Sequence, residues 1–342
     1  MSQNPAPGDL VDGLGRSGPP GQPIGGLGQT VLVTPDFATP VSRTWRSSRP
    51  VAVGAIVGIF RRGPADPTFR RGADGSFVRG VRTPEGTATL QLRPLAGEAT
   101  VEATAWGGGA RWVLDRVPDL LGHHDDDAGF IPHHDLVAGA ARRFAGWHVP
   151  RSGLVLDALV PAIIEQRVTG QEAFAGYRRL VRRFGEPAPG PYAVTGLRVP
   201  PSAAGWAGIP SWEFLTSSVD SARSTAVVRA ARAAGRLEQC VGLAPDPART
   251  RLRAVPGVGA WTAAEVAQRA LGDADAVSFG DYHVAKNIGW ALIGREIDDA
   301  GLADLLEPYS GHRYRVQRLL ELAGAMRPRR GPRMAPRTHL PG

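Results

Sequence analysis

The residues best suited to chemistry are one carboxylate, Asp281, and the tight turn Pro256-Gly257-Val258-Gly259 that precedes it. Leu252 and Val255 before the turn have the spacing of a short helix, and residues 260–270 after it are good helix formers. The two glycines allow a positive φ and a close backbone approach. Because bare amide groups at the start of a helix suit a phosphate oxygen, the stretch predicts a phosphate-binding helix-hairpin-helix followed by a single acid.

This pattern resembles the helix-hairpin-helix DNA glycosylase superfamily, in which a Gly/Pro-rich loop precedes a catalytic aspartate. Within that superfamily the chain is most similar to the 3-methyladenine DNA glycosylase II family, which places Trp-Thr-Ala just after the hairpin, as in Trp261-Thr262-Ala263. The resemblance covers about residues 150–325 and, more weakly, 45–120. It implies that Asp281 is catalytic and that the partner is double-stranded DNA containing damaged bases.

The elements that position these residues are expected to form an α+β fold, with a small N-terminal α/β-sheet domain followed by a mostly α-helical helix-hairpin-helix domain. Alternating and apolar runs predict strands at 51–60, 75–82, 87–93 and 100–106, followed by a helix at 109–121. The expected domains are a disordered Gly/Pro-rich tail (1–28), the α+β domain (30–121), a linker (122–149), the helical glycosylase domain (150–325) and a basic C-terminal tail (327–342).

Charge and cysteine content narrow the function classes. Lys and Arg outnumber Asp and Glu by 40 to 32 in the 342 residues, which favours an anionic partner such as nucleic acid, although a protein that is simply rich in arginine gives the same balance. Cys240 is the only cysteine, which excludes an intrachain disulfide and the four-cysteine iron–sulfur cluster of some relatives. The longest apolar run is too short to span a bilayer. A cytoplasmic monomer is expected, associated with the nucleoid if bacterial.

Several residues are predicted to bind DNA. The hairpin residues Pro256, Gly257, Val258 and Gly259 would hold a phosphate. In the family, a Gln-containing turn leads a side chain into the gap left by an extruded base. The resemblance places Gln166 in that turn and the gap-filling position at Arg167; a surface arginine at a helix end is the alternative. Lys286 is predicted to be a phosphate contact or a surface residue. Some relatives hold a monovalent cation on the hairpin carbonyls, here those of residues 255–258; otherwise no cofactor or metal is expected, and the His/Asp cluster at 123–135 is interpreted as a solvated loop.

Asp281 would stabilise the oxocarbenium-like charge that develops on the sugar when a glycosidic bond breaks. Bifunctional relatives carry a nucleophilic lysine two residues after the second hairpin glycine, where this chain has Trp261, so base removal without lyase activity is predicted. Gly311 stands where the enteric member of the family has a base-stacking tryptophan. An aromatic pocket for cationic alkylated purines is predicted from Trp206, Trp212, Trp261 and Tyr282, with His312 or Tyr314 completing it. The alternatives are core packing of these rings, an oxidised-base glycosylase, and a non-catalytic DNA-binding protein.

Overall fold

The computed structural model describes residues 39–95 and 99–328. The predicted N-terminal tail and residues 329–342 of the basic tail lie outside the described residues. Within the described ranges, no helix combines the length and the apolar character needed to cross a membrane.

An antiparallel sheet of five strands, in the order β1-β5-β4-β3-β2, forms the N-terminal part of the described chain. Its strands are β1 (Val41–Arg46), β2 (Phe69–Arg71), β3 (Phe77–Thr83), β4 (Gly86–Pro94) and β5 (Thr100–Trp106). Ala88, Leu90 and Leu92 of β4 are buried on one face, as the predicted alternation requires. The other face is not solvated throughout, because Thr89 is also fully buried and its hydroxyl donates to the Pro189 carbonyl at 2.7 Å. The strands predicted at 75–82, 87–93 and 100–106 correspond to β3, β4 and β5 and are confirmed.

The predicted strand at 51–60 is wrong. This run forms helix α1 (Val53–Val57) and a 3-10 turn (Gly58–Phe60). Val53, Ile56, Val57 and Phe60 are buried, which is the i, i+3, i+4, i+7 spacing of one helix face. A short run that is apolar throughout is compatible with the side-chain period of a strand and with that of a helix. Packing against the sheet selects the helix.

The remaining helices follow in chain order. The π-helical segment 267–271 continues the helix that ends at Val266. They are α2 (Ala110–Asp115), α3 (Val117–Leu120), α4 (Asp135–Arg143), α5 (Val155–Ile164), α6 (Gly170–Phe184), α7 (Ala203–Gly208), α8 (Ser211–Thr216), α9 (Ser221–Arg232), α10 (Ala234–Glu238), α11 (Pro245–Arg253), α12 (Ala260–Val266), α13 (Val284–Ile293), α14 (Asp299–Leu306) and α15 (Arg313–Leu322). Two short strands, β6 (Glu186–Pro187) and β7 (Arg198–Val199), pair beside the main sheet. The α+β class is confirmed.

Helix α5 is the centre of the helical core. Leu159, Ile163 and Ile164 are fully buried among residues of α6, α9 and α12. Both carboxylate oxygens of Glu238 accept hydrogen bonds, at 2.9 Å each, from the first amides of α5. This contact fixes the start of α5, and the end of α5 delivers residues 165–167 to the hairpin.

The sheet and the last helices share one core. Tyr314 and Leu319 of α15 pack among the buried residues of the sheet, and Val137 of α4 packs against α13, α14 and α15. The segment predicted as a linker thus contains a packed helix. The loop before it is not solvated throughout: Asp125 forms a buried ion pair with Arg315.

Candidate active site

The hairpin joins α11 to α12 through residues 254–259. Val255 and Val258 are buried in the helical core, and the Val258 amide donates to the Val255 carbonyl at 2.9 Å. Gly257 has φ 98°, and a Cβ there would lie 2.7 Å from the Ala226 side chain. The predicted turn is observed, and glycine is required at its second position for both conformation and space.

Asp281 lies in the turn before α13 and both of its carboxylate oxygens accept hydrogen bonds. Oδ1 accepts from the backbone amides of His283, at 2.7 Å, and Val284, at 3.2 Å. Oδ2 accepts from the indole Nε1 of Trp261 at 3.2 Å. The side chain therefore caps α13 and contacts α12 at the same time. A carboxylate held in this way can stabilise a neighbouring positive charge or accept a proton from water.

Gln166 connects the end of α5 to the hairpin. Its Nε2 donates to the Gly257 carbonyl at 2.9 Å and to the Thr262 hydroxyl at 2.8 Å. Arg167, the next residue, is exposed and has φ 55°, a left-handed conformation that is uncommon for residues other than glycine. The turn thus exposes the Arg167 side chain to solvent, while Gln166 attaches the turn to the hairpin.

The chain is similar to known proteins in sequence and in fold. No protein-family model matches the chain. Over 250 residues it is 28% identical to the "Probable bifunctional transcriptional activator/DNA repair enzyme AlkA" of Mycobacterium tuberculosis (strain CDC 1551 / Oshkosh), a match that covers 69% of this chain and 49% of the relative. The chain therefore spans about half the length of that curated relative.

Two solved structures show the same fold. A 3-methyladenine DNA glycosylase from Archaeoglobus fulgidus superposes with a TM-score of 0.66 at 18% identity, over 82% of this chain and 97% of that one. An 8-oxoguanine glycosylase/lyase from Clostridium acetobutylicum, in its apo form, superposes with a TM-score of 0.62 at 12% identity, over 84% and 99%. The chain has the helix-hairpin-helix DNA glycosylase fold.

Within this glycosylase fold, Tyr282 and Lys286 lie together beside Asp281. Tyr282 is 68% exposed, and the Lys286 ammonium lies 3.7 Å from the centre of its ring. Gly280, on the other side of Asp281, has φ 86°, and its amide donates to Asp299 at 2.8 Å. The Asp281 turn is thus held on both sides, with an exposed aromatic ring and a half-buried cation at its edge.

The structure does not bring the remaining predicted pocket aromatics into an open pocket. Trp206 is 2% exposed and stacks on Tyr177 in the core, with ring centroids 6.4 Å apart. Tyr314 is 1% exposed and packs edge-on against Trp147. A buried ring has no free face to offer a base.

Trp212 and His312 differ from these core rings. Trp212 is exposed on α8, where the Arg183 guanidinium lies 5.7 Å from its ring. His312 is partly buried beside Phe130. Burial, with the nearby Arg315 guanidinium, lowers the pKa of His312. Of the six predicted aromatics, Trp261 is the one with a direct hydrogen bond to Asp281.

A buried charged network lies behind the site. In the π-helical segment, Arg269 donates to Glu265 at 2.7 Å, and the Ser278 hydroxyl donates to the other oxygen of Glu265 at 2.7 Å. Gln268 donates to the same hydroxyl at 2.8 Å. Because Ser278 is three residues before Asp281, this network fixes the loop that delivers the carboxylate. π-Helical turns of this kind are frequent at functional sites.

A second ion pair joins the loop after the 3-10 turn at 58–60 to the end of α5. Arg62 Nη1 lies 3.2 Å from Oε1 of Glu165, without the geometry of a hydrogen bond. Burial raises the pKa of Glu165, and the Arg62 and Arg269 guanidinium groups oppose that effect. Sequence analysis missed this pair because Arg62 is distant in the chain. The Glu265–Arg269 pair is predictable from the sequence, because residues four apart on a helix are neighbours.

The cation predicted on the hairpin carbonyls remains a prediction. Backbone carbonyls are the right ligand class for a hard cation. Two of those at 255–258 already accept hydrogen bonds, Val255 from Val258 and Gly257 from Gln166. Each of these oxygens retains one lone pair, so the residues present fit such an ion only in part.

Proposed function

We propose that this protein is a DNA glycosylase that removes damaged bases from double-stranded DNA, with Asp281 as the catalytic carboxylate. The observation that carries the proposal is the hydrogen bond from Trp261 to Asp281, which holds the carboxylate against the helix that directly follows the hairpin. The curated relative is named a DNA repair enzyme, and the Archaeoglobus structure is titled a 3-methyladenine DNA glycosylase.

In the proposed reaction the hairpin amides of Gly257 and Gly259 hold a backbone phosphate, since the Val258 amide is already bonded to the Val255 carbonyl. The damaged nucleotide is extruded into the site. Arg167, on its turn beside the hairpin, fills the gap left in the stack. The bond between C1′ and the base nitrogen breaks with its electron pair leaving on the base. Asp281 stabilises the positive charge on the sugar, and water adds at C1′ as its proton passes to the Asp281 carboxylate.

We infer that the bases removed are N-alkylated purines. Such bases carry positive charge, leave without a general acid, and are attracted to an aromatic face. Trp261 supplies that face beside the carboxylate. The face of Tyr282 is already covered by Lys286, so Tyr282 would accept a base only on its other side.

We infer further that the enzyme is monofunctional. Trp261 occupies the position of the lyase nucleophile and has no amine. Lys286 is the only lysine in the sequence, and its ammonium lies over the Tyr282 ring, where we assign it to a phosphate contact.

The test is base release from duplexes that contain 7-methylguanine, 3-methyladenine, hypoxanthine or 8-oxoguanine, with strand breaks scored with and without hot alkali. Asp281→Asn retains an oxygen that can cap α13, so it removes the charge without removing the cap. Asp304→Asn, an exposed change on α14, is the matched control. We expect the wild type and Asp304→Asn to release the alkylated bases. In Asp281→Asn the rate of release should fall by at least about a hundredfold.

The same assay separates the alternatives. Release of 8-oxoguanine in preference to alkylated bases would support an oxidised-base glycosylase. If the wild-type protein binds DNA and releases none of the four bases, the catalytic proposal fails and a DNA-binding protein remains.

A further inference from the structure

A groove of about 350 Å³ lies beside the hairpin, and neither Trp261 nor Asp281 lines it. One wall is a polar face of α11, which ends where the hairpin begins. The other wall consists of small side chains on one face of α12, namely Ala260, Ala263 and Ala264. The volume lies within the range of protein sites for small ligands. The groove is therefore an open site next to the hairpin that the proposed reaction does not use.

Three arginines line the groove, and two of them are already paired with acids. Arg249 donates to Asp246 at 2.5 Å and also donates to the buried Asp273. Arg313 donates through Nε to Asp275 at 2.7 Å and through Nη2 to the other oxygen of the same carboxylate. The charges of these two arginines are thus balanced by aspartates, and their side chains are held in place.

Arg253, the third arginine of the groove, has no such partner. It is the last residue of α11 and is exposed, and its guanidinium makes no hydrogen bond or ion pair within residues 39–95 and 99–328. The hydroxyl of Thr250, one turn earlier on the same face, also has no partner in that part of the chain. Guanidinium and hydroxyl groups both donate hydrogen bonds to phosphate oxygens. The groove thus holds two unused donors that suit a phosphate.

We propose that the groove binds one sugar–phosphate unit of DNA, adjacent on the strand to the phosphate at the hairpin, with its phosphate on Arg253 and Thr250. The proposal rests on the proposed function, because it takes duplex DNA as the partner. Arg253 is four residues from Gly257, so the two Cα atoms lie within about 14 Å of each other and both residues can reach one strand. The alanine face of α12 leaves room for the deoxyribose, whose C–H surface packs against apolar side chains. Two adjacent phosphates held in this way would fix the direction of the strand at the hairpin.

The first experiment measures the affinity of the full chain for a duplex with an abasic-site analogue over a series of salt concentrations. Arg253→Gln removes the charge, Arg253→Lys keeps it, and the control Arg111→Gln removes one exposed arginine from α2. Each lost phosphate contact makes the slope of log K against log salt shallower by about 0.9. We expect that change of slope, together with weaker binding, in Arg253→Gln alone.

Wild-type affinity and slope in Arg253→Gln would overturn the proposal. Arg253 would then be only a cation that stabilises the end of α11. An equal change in Arg111→Gln would also overturn it, because any exposed arginine would then contribute as much as Arg253.

The second experiment locates the contact on the DNA. Each duplex of a set carries a single uncharged methylphosphonate, at successive positions around the abasic-site analogue. In the wild type we expect at least two adjacent positions at which the uncharged group weakens binding, one for the hairpin and one for the groove. In Arg253→Gln the groove position should lose its effect, while the hairpin position keeps it. A variant in which both positions keep their wild-type effect would contradict the proposal.

A free nucleotide is the other source of the same chemistry, and deoxyadenosine monophosphate is the probe for it. Binding of this nucleotide that Arg253→Gln abolishes, with every methylphosphonate position unchanged, would assign the groove to a free nucleotide and overturn the DNA contact.

Base release at saturating protein distinguishes failure of this proposal from failure of the proposed function. Arg253→Gln should release bases at the wild-type rate under those conditions, because neither Trp261 nor Asp281 lines the groove. The binding measurements need no catalysis, so a wild type that releases no base would end the proposed function and leave the groove still testable.

Discussion

The indole Nε1 of Trp261 donates a hydrogen bond to Oδ2 of Asp281 at 3.2 Å. The other carboxylate oxygen accepts two backbone amides of the turn that begins α13. The carboxylate is therefore oriented by contacts with two helices, α12 and the start of α13. Trp261 has two roles in the proposal: its ring faces the base, and its N–H aims the catalytic group.

Trp261→Phe separates these two roles, because phenylalanine keeps an aromatic face and lacks the N–H. A hydrogen bond to a charged group is worth about 1.5–3 kcal/mol, so we expect single-turnover base release to slow by roughly tenfold to a hundredfold. Trp212→Phe, on the exposed face of α8, is the control. An unchanged rate in Trp261→Phe would remove the positioning role.

Lys286 allows a clear test of lyase activity, because it is the only lysine in the sequence. A lyase forms a Schiff base that borohydride reduces to a stable protein–DNA crosslink. We expect no crosslink and no strand break before alkali in the wild type. A crosslink that disappears in Lys286→Arg would show instead that this amine is a nucleophile.

Gln166 should contribute to both hairpin geometry and stability. Gln166→Glu replaces the donor Nε2 by an oxygen that faces the Gly257 carbonyl and the Thr262 hydroxyl. We expect a loss of about 1–2 kcal/mol in the free energy of unfolding, measured in urea, and weaker binding to a duplex with an abasic-site analogue. Gln171→Glu, an exposed change of the same kind on α6, should alter neither. Equal effects of the two substitutions would mean that charge, and not the hairpin contact, is responsible.

His148 predicts a pH dependence of stability. It is 2% exposed, and its Nε2 lies 2.8 Å from the Pro50 carbonyl. Burial lowers its pKa below the ordinary 6.5, while that carbonyl and Asp125 oppose the shift. The unfolded chain therefore takes up the proton first as pH falls. Stability should be fully present above about pH 6.5 and should decrease as the pH is lowered through that value.

The measurement for His148 is urea unfolding at about pH 7.5 and about pH 5.5. His148→Gln should lose less stability on acidification than the wild type, and the exposed change His124→Gln should lose as much as the wild type. His312, whose pKa is also lowered by burial, accounts for a remaining decrease. A His148→Gln variant as sensitive to acid as the wild type would contradict the assignment.

The sequence by itself determined the features that depend on neighbours in the chain. The hairpin at 256–259, the helices on either side of it, and the acid before α13 all follow from glycine, proline and helical spacing over short distances. The three strands at 75–106 depended in the same way on residues close in the chain. The run at 51–60 was not, because an apolar run fits both periods until a partner surface selects one.

Tertiary structure decided which side chains meet at the site. Trp206, Trp261 and Tyr314 are all aromatic in the sequence, yet two are core rings and one contacts Asp281. Arg62, in the loop after the 3-10 turn at 58–60, reaches Glu165 at the end of α5, which no local pattern encodes. Exposure and long-range contact depend on how whole elements pack, and packing is a property of the full set of buried surfaces and not of any one segment.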